Sequence, residues 1–128
     1  MLPFSIELKP GLPIAEQVVF AVKKAVVGGQ LKPGQPFPSV RVVSQELKIN
    51  PNTAHKVVTH LINEGLLEVR PGIGAFVAAP RAGSRADRRR LLGTELEQLV
   101  VSARRLGLEL RDLTEGLAEH WRKLGGGS

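Results

Sequence analysis

The dipeptide Asn50-Pro51 is the feature that most constrains the fold, because it marks where a helix begins. An asparagine side chain accepts hydrogen bonds from the free N–H groups of a helix start, and proline at the first helical position loses none. The residues that follow divide into two faces at 100° per residue. The apolar face is formed by Ala54, Val57, Val58, Leu61 and Ile62, and the polar face by Asn52, Lys56, Thr59 and Asn63. We therefore expect a helix from Pro51 to about Glu64 with one side in a core and the other side free.

Two helices are predicted before this one and a hairpin after it. Apolar residues at helical spacing predict a first helix that ends at Gly28, and Ser39 is a suitable cap for a second helix through Leu47. The proline-rich segment 32–38 is expected to be irregular, and short apolar segments within 66–78, around Pro71-Gly72-Ile73, predict a hairpin. The residues predicted to face the core from the first helix are Ile14, Val18, Val22, Ala25 and Val26.

The order helix, helix, helix, hairpin is that of a winged helix-turn-helix. The predicted fold class is thus mainly α with a small β-hairpin wing. In this arrangement the third helix enters the major groove of DNA. Its polar face offers amide, hydroxyl and ammonium groups with no carboxylate before Glu64, and these groups can meet base edges and phosphates. The alternative is a solvated surface helix without a partner.

Residues 84–124 form a second region, which contains no proline and carries leucine at helical spacing. Ser84-Arg85-Ala86-Asp87 resembles a capping box that begins its first helix, and Gly107 is expected to end that helix. We expect a winged helix-turn-helix DNA-binding domain over 1–78, a linker over 79–83, a two-helix region over 84–124 and a flexible tail over 125–128. Narrow apolar stripes of this kind predict self-association, with packing on the first region as the alternative. The stripe residues are Leu92, Leu96, Leu99, Ala103 and Leu106 on the first of these helices and Leu110, Leu113, Leu117 and Trp121 on the second.

The charge balance favours a polyanionic partner and is also compatible with a solvated basic surface. Eighteen lysines and arginines against twelve acidic residues give a net charge of +6. Part of this excess lies at the junction of the two regions. There, Arg81, Arg85, Arg88, Arg89 and Arg90 are opposed only by Asp87.

Composition excludes several other functions. The absence of cysteine excludes a disulfide framework, a thiolate metal site and thiol catalysis, and three scattered histidines offer little for zinc. No apolar run approaches the length of a membrane span, and the N-terminus lacks a secretory signal, so we expect a cytoplasmic protein. No arrangement of nucleophile, paired carboxylates or phosphate-binding loop is present. We expect neither an enzyme nor a bound cofactor or metal.

Several ordered motifs resemble the DNA-binding domain of the GntR family of bacterial transcription regulators. They span roughly residues 10–78 and consist of Pro13-Ile14 with Gln17, Gly29-Gln30-Leu31-Lys32-Pro33-Gly34, Phe37-Pro38-Ser39-Val40-Arg41, Leu47-Lys48-Ile49-Asn50-Pro51-Asn52-Thr53-Ala54, Leu61-Ile62-Asn63-Glu64-Gly65-Leu66-Leu67 and Gly72-Ile73-Gly74-Ala75-Phe76-Val77. The short C-terminal region resembles the YtrA-type subfamily. Its members dimerise through two helices and lack the large effector domains of other branches.

The resemblance implies a set of DNA contacts from the second helix, the third helix and the wing. The residues concerned are Arg41, Asn50, Asn52, Thr53, Lys56, Gly72 and Gly74, to which Arg70 at the wing base adds a candidate phosphate contact. Several have a plainer alternative: a surface ion pair for Arg41, a solvated side chain for Asn52 or Lys56, a helix-start residue for Thr53, and turn geometry for Gly72.

The predicted function is that of a homodimeric transcription regulator, a repressor that binds double-stranded DNA at an inverted-repeat operator. The resemblance also implies control of a transporter operon, and a small-molecule effector cannot be identified from the residues. The alternative is a winged-helix module that binds protein without specific DNA binding.

One surface falls outside the family motifs. Phe20 and Val27 lie on the far side of the first helix from its core residues. Large apolar groups on such a face call for a partner, and we expect the leucine-striped helices of the second region to cover them.

Overall fold

The computed structural model describes residues 2–80 and 83–125. The chain divides into two compact units, Met1–Pro80 and Arg81–Ser128. The first unit contains α1 (Ile14–Val27), α2 (Val40–Leu47), α3 (Pro51–Asn63), β1 (Leu67–Arg70) and β2 (Gly74–Val77). The second contains α4 (Arg85–Arg90), a π-helical segment (Leu91–Glu95), α5 (Leu96–Arg105) and α6 (Leu110–Lys123). The predicted fold class, mainly α with a small β-hairpin wing, is confirmed.

Parts of the predicted linker and tail lie outside the described residues. These parts are residues 81 and 82 of the linker and 126–128 of the tail. Arg81 of the junction cluster is among them.

Helix α1 is tied to the N-terminal segment by one side chain. The Gln17 side-chain oxygen accepts from the Lys9 N–H at 2.8 Å, and its Nε2 donates to the carbonyls of Lys9 at 2.9 Å and Leu12 at 3.1 Å. At the other end of α1, Gly29 has a φ of +80°, a left-handed conformation that suits glycine. The chain therefore turns there, and the buried Leu31 donates its N–H to the carbonyl of Ala25 at 3.0 Å.

The core of the first unit lies among its three helices and the hairpin. Its buried residues are Phe4, Val18, Val19, Val22, Ala25, Leu31, Phe37, Val43, Ala54, Val57, Val58, Leu61, Leu67 and Val77. The predicted arc of α1 is wrong at its first residue, because Ile14 is 42% exposed and Val19 is buried instead. Ile14 begins the helix directly after Pro13, where no neighbouring helix covers its side chain fully.

The predicted starts of α2 and α3 are confirmed by their caps. The Ser39 hydroxyl oxygen accepts from the Val42 N–H at 3.2 Å, and the Asn50 side-chain oxygen accepts from the Asn52 N–H at 2.7 Å. Pro51 occupies the first helical position of α3. Because these signals lie within a few residues of the helix start, they determine the boundary without tertiary contacts.

The hairpin is antiparallel, with Leu67 opposite Val77 and Arg70 opposite Gly74. The proline-rich segment before α2 also joins it, which the sequence did not predict. The Val77 N–H donates to the Gln35 carbonyl at 2.8 Å, and the Phe37 N–H donates to the Ala75 carbonyl at 2.9 Å. The intervening proline costs nothing here, because an edge segment has hydrogen bonds on only one side.

The second unit begins with a capping box, as predicted. The Ser84 hydroxyl oxygen accepts from the Asp87 N–H at 3.1 Å, and the Asp87 carboxylate accepts from the Ser84 N–H at 3.2 Å. The prediction of one regular α-helix from Ser84 to Leu106 is wrong, because the π-helical segment interrupts it. The segment contains Gly93 and the β-branched Thr94, both weak helix formers. The predicted stripe is therefore in α-helical phase only from Leu96 onward.

Most of the predicted stripe residues are exposed in the single chain. On α4 to α5 only Ala103 is buried, and on α6 Leu113 is half-buried while Leu110, Leu117 and Trp121 are exposed. Helix α5 ends before Gly107, which has a φ of +77°. The apolar side chains of this unit thus remain largely uncovered within one protomer.

Candidate nucleic-acid interface

Helix α3 is buried on one side and exposed on the other. Its buried side, which includes Val57 and Leu61, packs against α1 and α2. The exposed side chains on the opposite side are Asn52, His55, Lys56, Thr59, His60 and Asn63. No carboxylate lies on α3 itself, so this face presents hydrogen-bonding groups and one ammonium.

A strained turn joins α2 to α3. Lys48 has a φ of 54° and a ψ of 47°, and it is the only non-glycine residue with a positive φ among those the structure describes. Its N–H donates to the Ser44 carbonyl, as does the N–H of Ile49 at 3.0 Å. These two bonds close the end of α2, and the chain can then reverse direction within three residues to enter α3.

Arg41 is the second residue of α2 and is exposed. No ion pair involves it within residues 2–80 and 83–125. The surface ion pair that was its plainer alternative is therefore absent from the described part of the chain. A guanidinium without a carboxylate partner can bind a phosphate or a base edge.

The predicted wing residues lie at the tip and the base of the hairpin. Gly72 has a φ of +76° between Pro71 and Ile73, and the Ile73 N–H donates to the Arg70 carbonyl at 2.9 Å. Proline followed by a glycine with positive φ is the pattern of a tight turn of type II. Turn geometry therefore accounts for this glycine, and the absence of a side chain also leaves the backbone of the tip accessible.

Arg70 projects from the wing base against an aromatic ring. Its guanidinium carbon lies 4.0 Å from the centroid of the Phe76 ring, and its Nη2 lies 3.4 Å from the Glu68 carboxylate. Its side chain is 47% exposed. Stacking holds the guanidinium in place while one side stays open to solvent.

At the C-terminal end of α3, Glu64 forms a network with two other side chains that the sequence did not reveal. The carboxylate of Glu64 lies 2.6 Å from the His60 Nε2 and 3.1 Å from the Lys23 Nζ of α1. The network neutralises one acidic group beside the polar face. Lys56, one turn before His60, has no such partner among the described residues.

A groove of about 440 Å³ lies between α1 and α3. Its floor includes Val19 and Val57, and its rim includes Phe20, which is 62% exposed. Lys24 of α1 places its ammonium 5.7 Å from the Phe20 ring. The apolar face predicted for α1 is thus exposed, and its expected covering by the second region stays a prediction.

The predicted DNA contacts all lie in the first unit, on α2, at α3 and on the wing. The side-chain oxygen of Asn50 already accepts a hydrogen bond as the cap of α3. Thr53 is half-buried. Sequence reasoning placed Thr59 and Asn63 on the free face but did not select them as contacts. Their exposure beside Lys56 makes them equal candidates.

Other kinds of site were also sought in the described residues. No group of three or more histidine, cysteine or acidic side chains there could hold a metal ion. None of the described helices is long and apolar enough to cross a membrane.

Comparison with known proteins decides the family. The profile described as "Bacterial regulatory proteins, gntR family" matches residues 14–77, which contain α1 to β2. The HTH-type transcriptional repressor YtrA of Bacillus subtilis (strain 168) is 30% identical over 115 residues, covering 89% of this chain and 88% of its own. The chain belongs to the GntR family. Its predicted likeness to YtrA-type regulators is confirmed, and so is the prediction that it is a regulator rather than an enzyme.

Solved structures extend the comparison. A transcriptional antiterminator from Listeria monocytogenes EGD-e is 28% identical with a TM-score of 0.86, over 98% of this chain and 94% of that one. The DNA-binding domain of AraR in complex with operator ORX1 is 27% identical with a TM-score of 0.51, over 57% of this chain and 93% of that one. The second alignment corresponds in extent to a winged domain alone.

Proposed function

We propose that the protein is a homodimeric repressor that binds an inverted-repeat operator through α3. The observation that carries this proposal is the exposed face of α3, which offers amide, hydroxyl and ammonium groups without a carboxylate. A solvated helix of this length would ordinarily carry acidic residues on that side, whereas DNA repels them. The operator complex of the related AraR domain supports the same partner.

In the proposed complex the three elements of the first unit have different tasks. Asn52 and Lys56 lie on the face of α3 that would enter the major groove, where amides read adenine and an ammonium meets guanine or phosphate. The Arg41 guanidinium would bind a phosphate or a guanine from the start of α2. Arg70 and the backbone around Gly72 would contact the DNA beside the groove. Base contacts provide specificity, and phosphate contacts set the position.

A second copy of this chain is the proposed partner of the second unit. Within one protomer α5 and α6 leave Leu96, Leu99, Leu117 and Trp121 exposed, and covering them would remove apolar surface from water. A two-fold dimer would present two α3 helices to half-sites about 34 Å apart or a multiple of that distance. Tethering the two units would raise affinity through effective concentration.

Location and target genes complete the proposal. We propose that the repressor acts in the cytoplasm and, from its likeness to YtrA-type regulators, on a transporter operon. Selection of bound fragments from the source genome tests the proposed transporter operon directly. Enrichment of sites unrelated to transport would contradict it without affecting the proposed DNA binding.

A protein-binding module is the second candidate, and the groove between α1 and α3 favours it. An apolar groove next to Phe20 could accept a helix or loop of another protein. Titration of the full-length protein against one selected duplex, with an excess of random DNA, separates the two functions. We expect affinity that survives the competitor and falls steeply with salt. Binding abolished by the competitor would favour the protein-binding module.

A further inference from the structure

Three arginines form an exposed face on α4. At 100° per residue Arg85, Arg88 and Arg89 fall within an arc of about 100°, and all three are exposed. We call them the arginine face. Arg90 and Asp87 lie on other sides of the same helix. The α3 interface does not use these residues, although they form the most basic segment of the chain.

The one carboxylate on α4 already has partners. Asp87 accepts from the Ser84 N–H in the capping box and pairs with the Arg90 Nη2 at 3.1 Å. These interactions, the Ser84 bonds first, lower the pKa of Asp87, so it stays ionised in this role. No ion pair reaches Arg85, Arg88 or Arg89 from any residue in 2–80 or 83–125.

The π-helical segment separates the arginine face from the leucine stripe. In an uninterrupted α-helix, Leu96 and Leu99 would fall at about 20° and 320° from Arg85, within the arc of the arginines. A π-helical turn accommodates one additional residue, so the side chains after it are rotated backwards by about 100° around the helix axis. The stripe from Leu96 onward is therefore centred about 110° from the centre of the arginine face, although Leu96 itself lies only about 20° from Arg88. Dimerisation through the centre of that stripe would leave Arg85 and Arg89 accessible, with Arg88 at the edge of the interface.

We propose that the arginine face binds the sugar–phosphate backbone of DNA next to the half-site contacted by α3. This inference rests on the proposed function, to which it adds a second contact region in each protomer. DNA is the favoured polyanion because only four residues lie between Pro80 and Arg85, so the tether cannot exceed about 18 Å. The guanidinium fork matches phosphate geometry, and three such contacts would add affinity without base preference.

Counterion release provides the test. The full-length triple variant Arg85→Gln/Arg88→Gln/Arg89→Gln is titrated with a selected operator at several salt concentrations. Each lost phosphate contact lowers the slope of log affinity against log salt by about 0.9, so we expect a decrease of up to about 2.7 for each half-site, or about 5.4 for the proposed dimer. The preference for operator over random DNA should change little. Ethylation interference should show phosphates that matter for the parent protein and not for the variant.

A charge-matched variant controls for net charge. Arg104→Gln/Arg105→Gln/Arg111→Gln removes the same three charges from α5 and α6, and we expect its slope to equal that of the parent. A parent-like slope in the arginine-face variant, with specific binding retained, would overturn this inference and leave the proposed function standing. Equal decreases in both variants would also overturn it. If the parent protein itself shows no specific binding, the proposed function fails instead.

Discussion

The guanidinium of Arg70 stacks on the ring of Phe76 across the two strands of the wing, 4.0 Å from the ring centroid. Arg70 pairs with Gly74, so Phe76 is its diagonal neighbour on the opposite strand. Diagonal neighbours are within reach of aromatic and long side chains. The glycine opposite Arg70 leaves room for the guanidinium to lie over that ring.

This stacking should be measurable as a coupling energy. A double-mutant cycle of Arg70→Ala and Phe76→Leu in urea unfolding should give about 0.5–1 kcal/mol, the usual range for an exposed cation–π pair. Arg70→Ala should also lower the salt slope of operator binding by about one if the guanidinium binds a phosphate. Additive single effects on stability would show that the ring does not hold Arg70.

The polar face of α3 and the start of α2 should control affinity in different ways. Arg41→Ala should cost on the order of 1–3 kcal/mol of binding free energy, and Lys56→Ala should lower the salt slope by about one if it contacts a phosphate. Lys9→Ala is the control, because it removes an exposed lysine from the segment before α1. Parent-like binding by both variants would refute the assignment of α3 as the recognition helix.

Replacing the leucine stripe should yield a monomer. Leu96→Gln with Leu99→Gln should keep the first unit folded, shift the sedimentation coefficient to that of one chain, and weaken operator binding. Val101→Gln is the control, because Val101 is also exposed on α5 but lies roughly opposite the stripe. A double variant that sediments as a dimer would place the interface elsewhere.

The turn between α2 and α3 stores backbone strain. Lys48 is left-handed, which costs a residue with a side chain about 1–2 kcal/mol. Lys48→Gly should therefore raise the free energy of unfolding by about 1 kcal/mol in urea titrations. Gly65→Ala tests the converse, the introduction of strain. The φ of Gly65 is +79° and an added Cβ would meet no atom within 4 Å, so a loss of stability in this variant would come from the backbone conformation. A lower stability for Lys48→Gly would mean that its side chain outweighs the strain.

The capping box of α4 should respond to acid. The Ser84 N–H bond, followed by the Ser84 hydroxyl and then the charge of Arg90, lowers the pKa of Asp87 from its ordinary value of 3.8. A lowered pKa means that the carboxylate stabilises the helix start above pH 3.8 and loses that effect as the pH falls further. The Ser84 amide signal in NMR should therefore shift below pH 3.8, and Asp87→Asn should abolish the shift. An identical shift in Asp87→Asn would assign it to another group.

What could be predicted from the sequence depended on how local the determining contacts are. The caps at Ser39, Asn50 and Ser84 were predicted correctly, because each involves only the next two or three residues. The pairing of Gln35 and Phe37 with β2 was missed, because its partners lie about forty residues away. Local composition marked that segment only as irregular.

The site was predictable to a similar degree. The two faces of α3 follow from helical periodicity, whereas the contact between Arg70 and Phe76 depends on strand register. The network of Glu64 with Lys23 and His60 depends on how α1 packs against α3. Which bases meet Asn52 or Lys56 depends on the docking angle, and neither the sequence nor a single chain determines that angle.

The π-helical segment Leu91–Glu95 also decides how a change in chain length affects the direction of the later side chains. Because the segment absorbs one residue, deleting Gly93 and restoring a continuous α-helix would leave Leu96 and the residues after it at the same angle to Arg85. Regularising the helix without a deletion would instead advance them by about 100° and bring the apolar stripe into line with the arginine face. A single-residue gap in a related sequence at this point would therefore preserve the geometry of assembly, whereas an uninterrupted helix of the same length would change it.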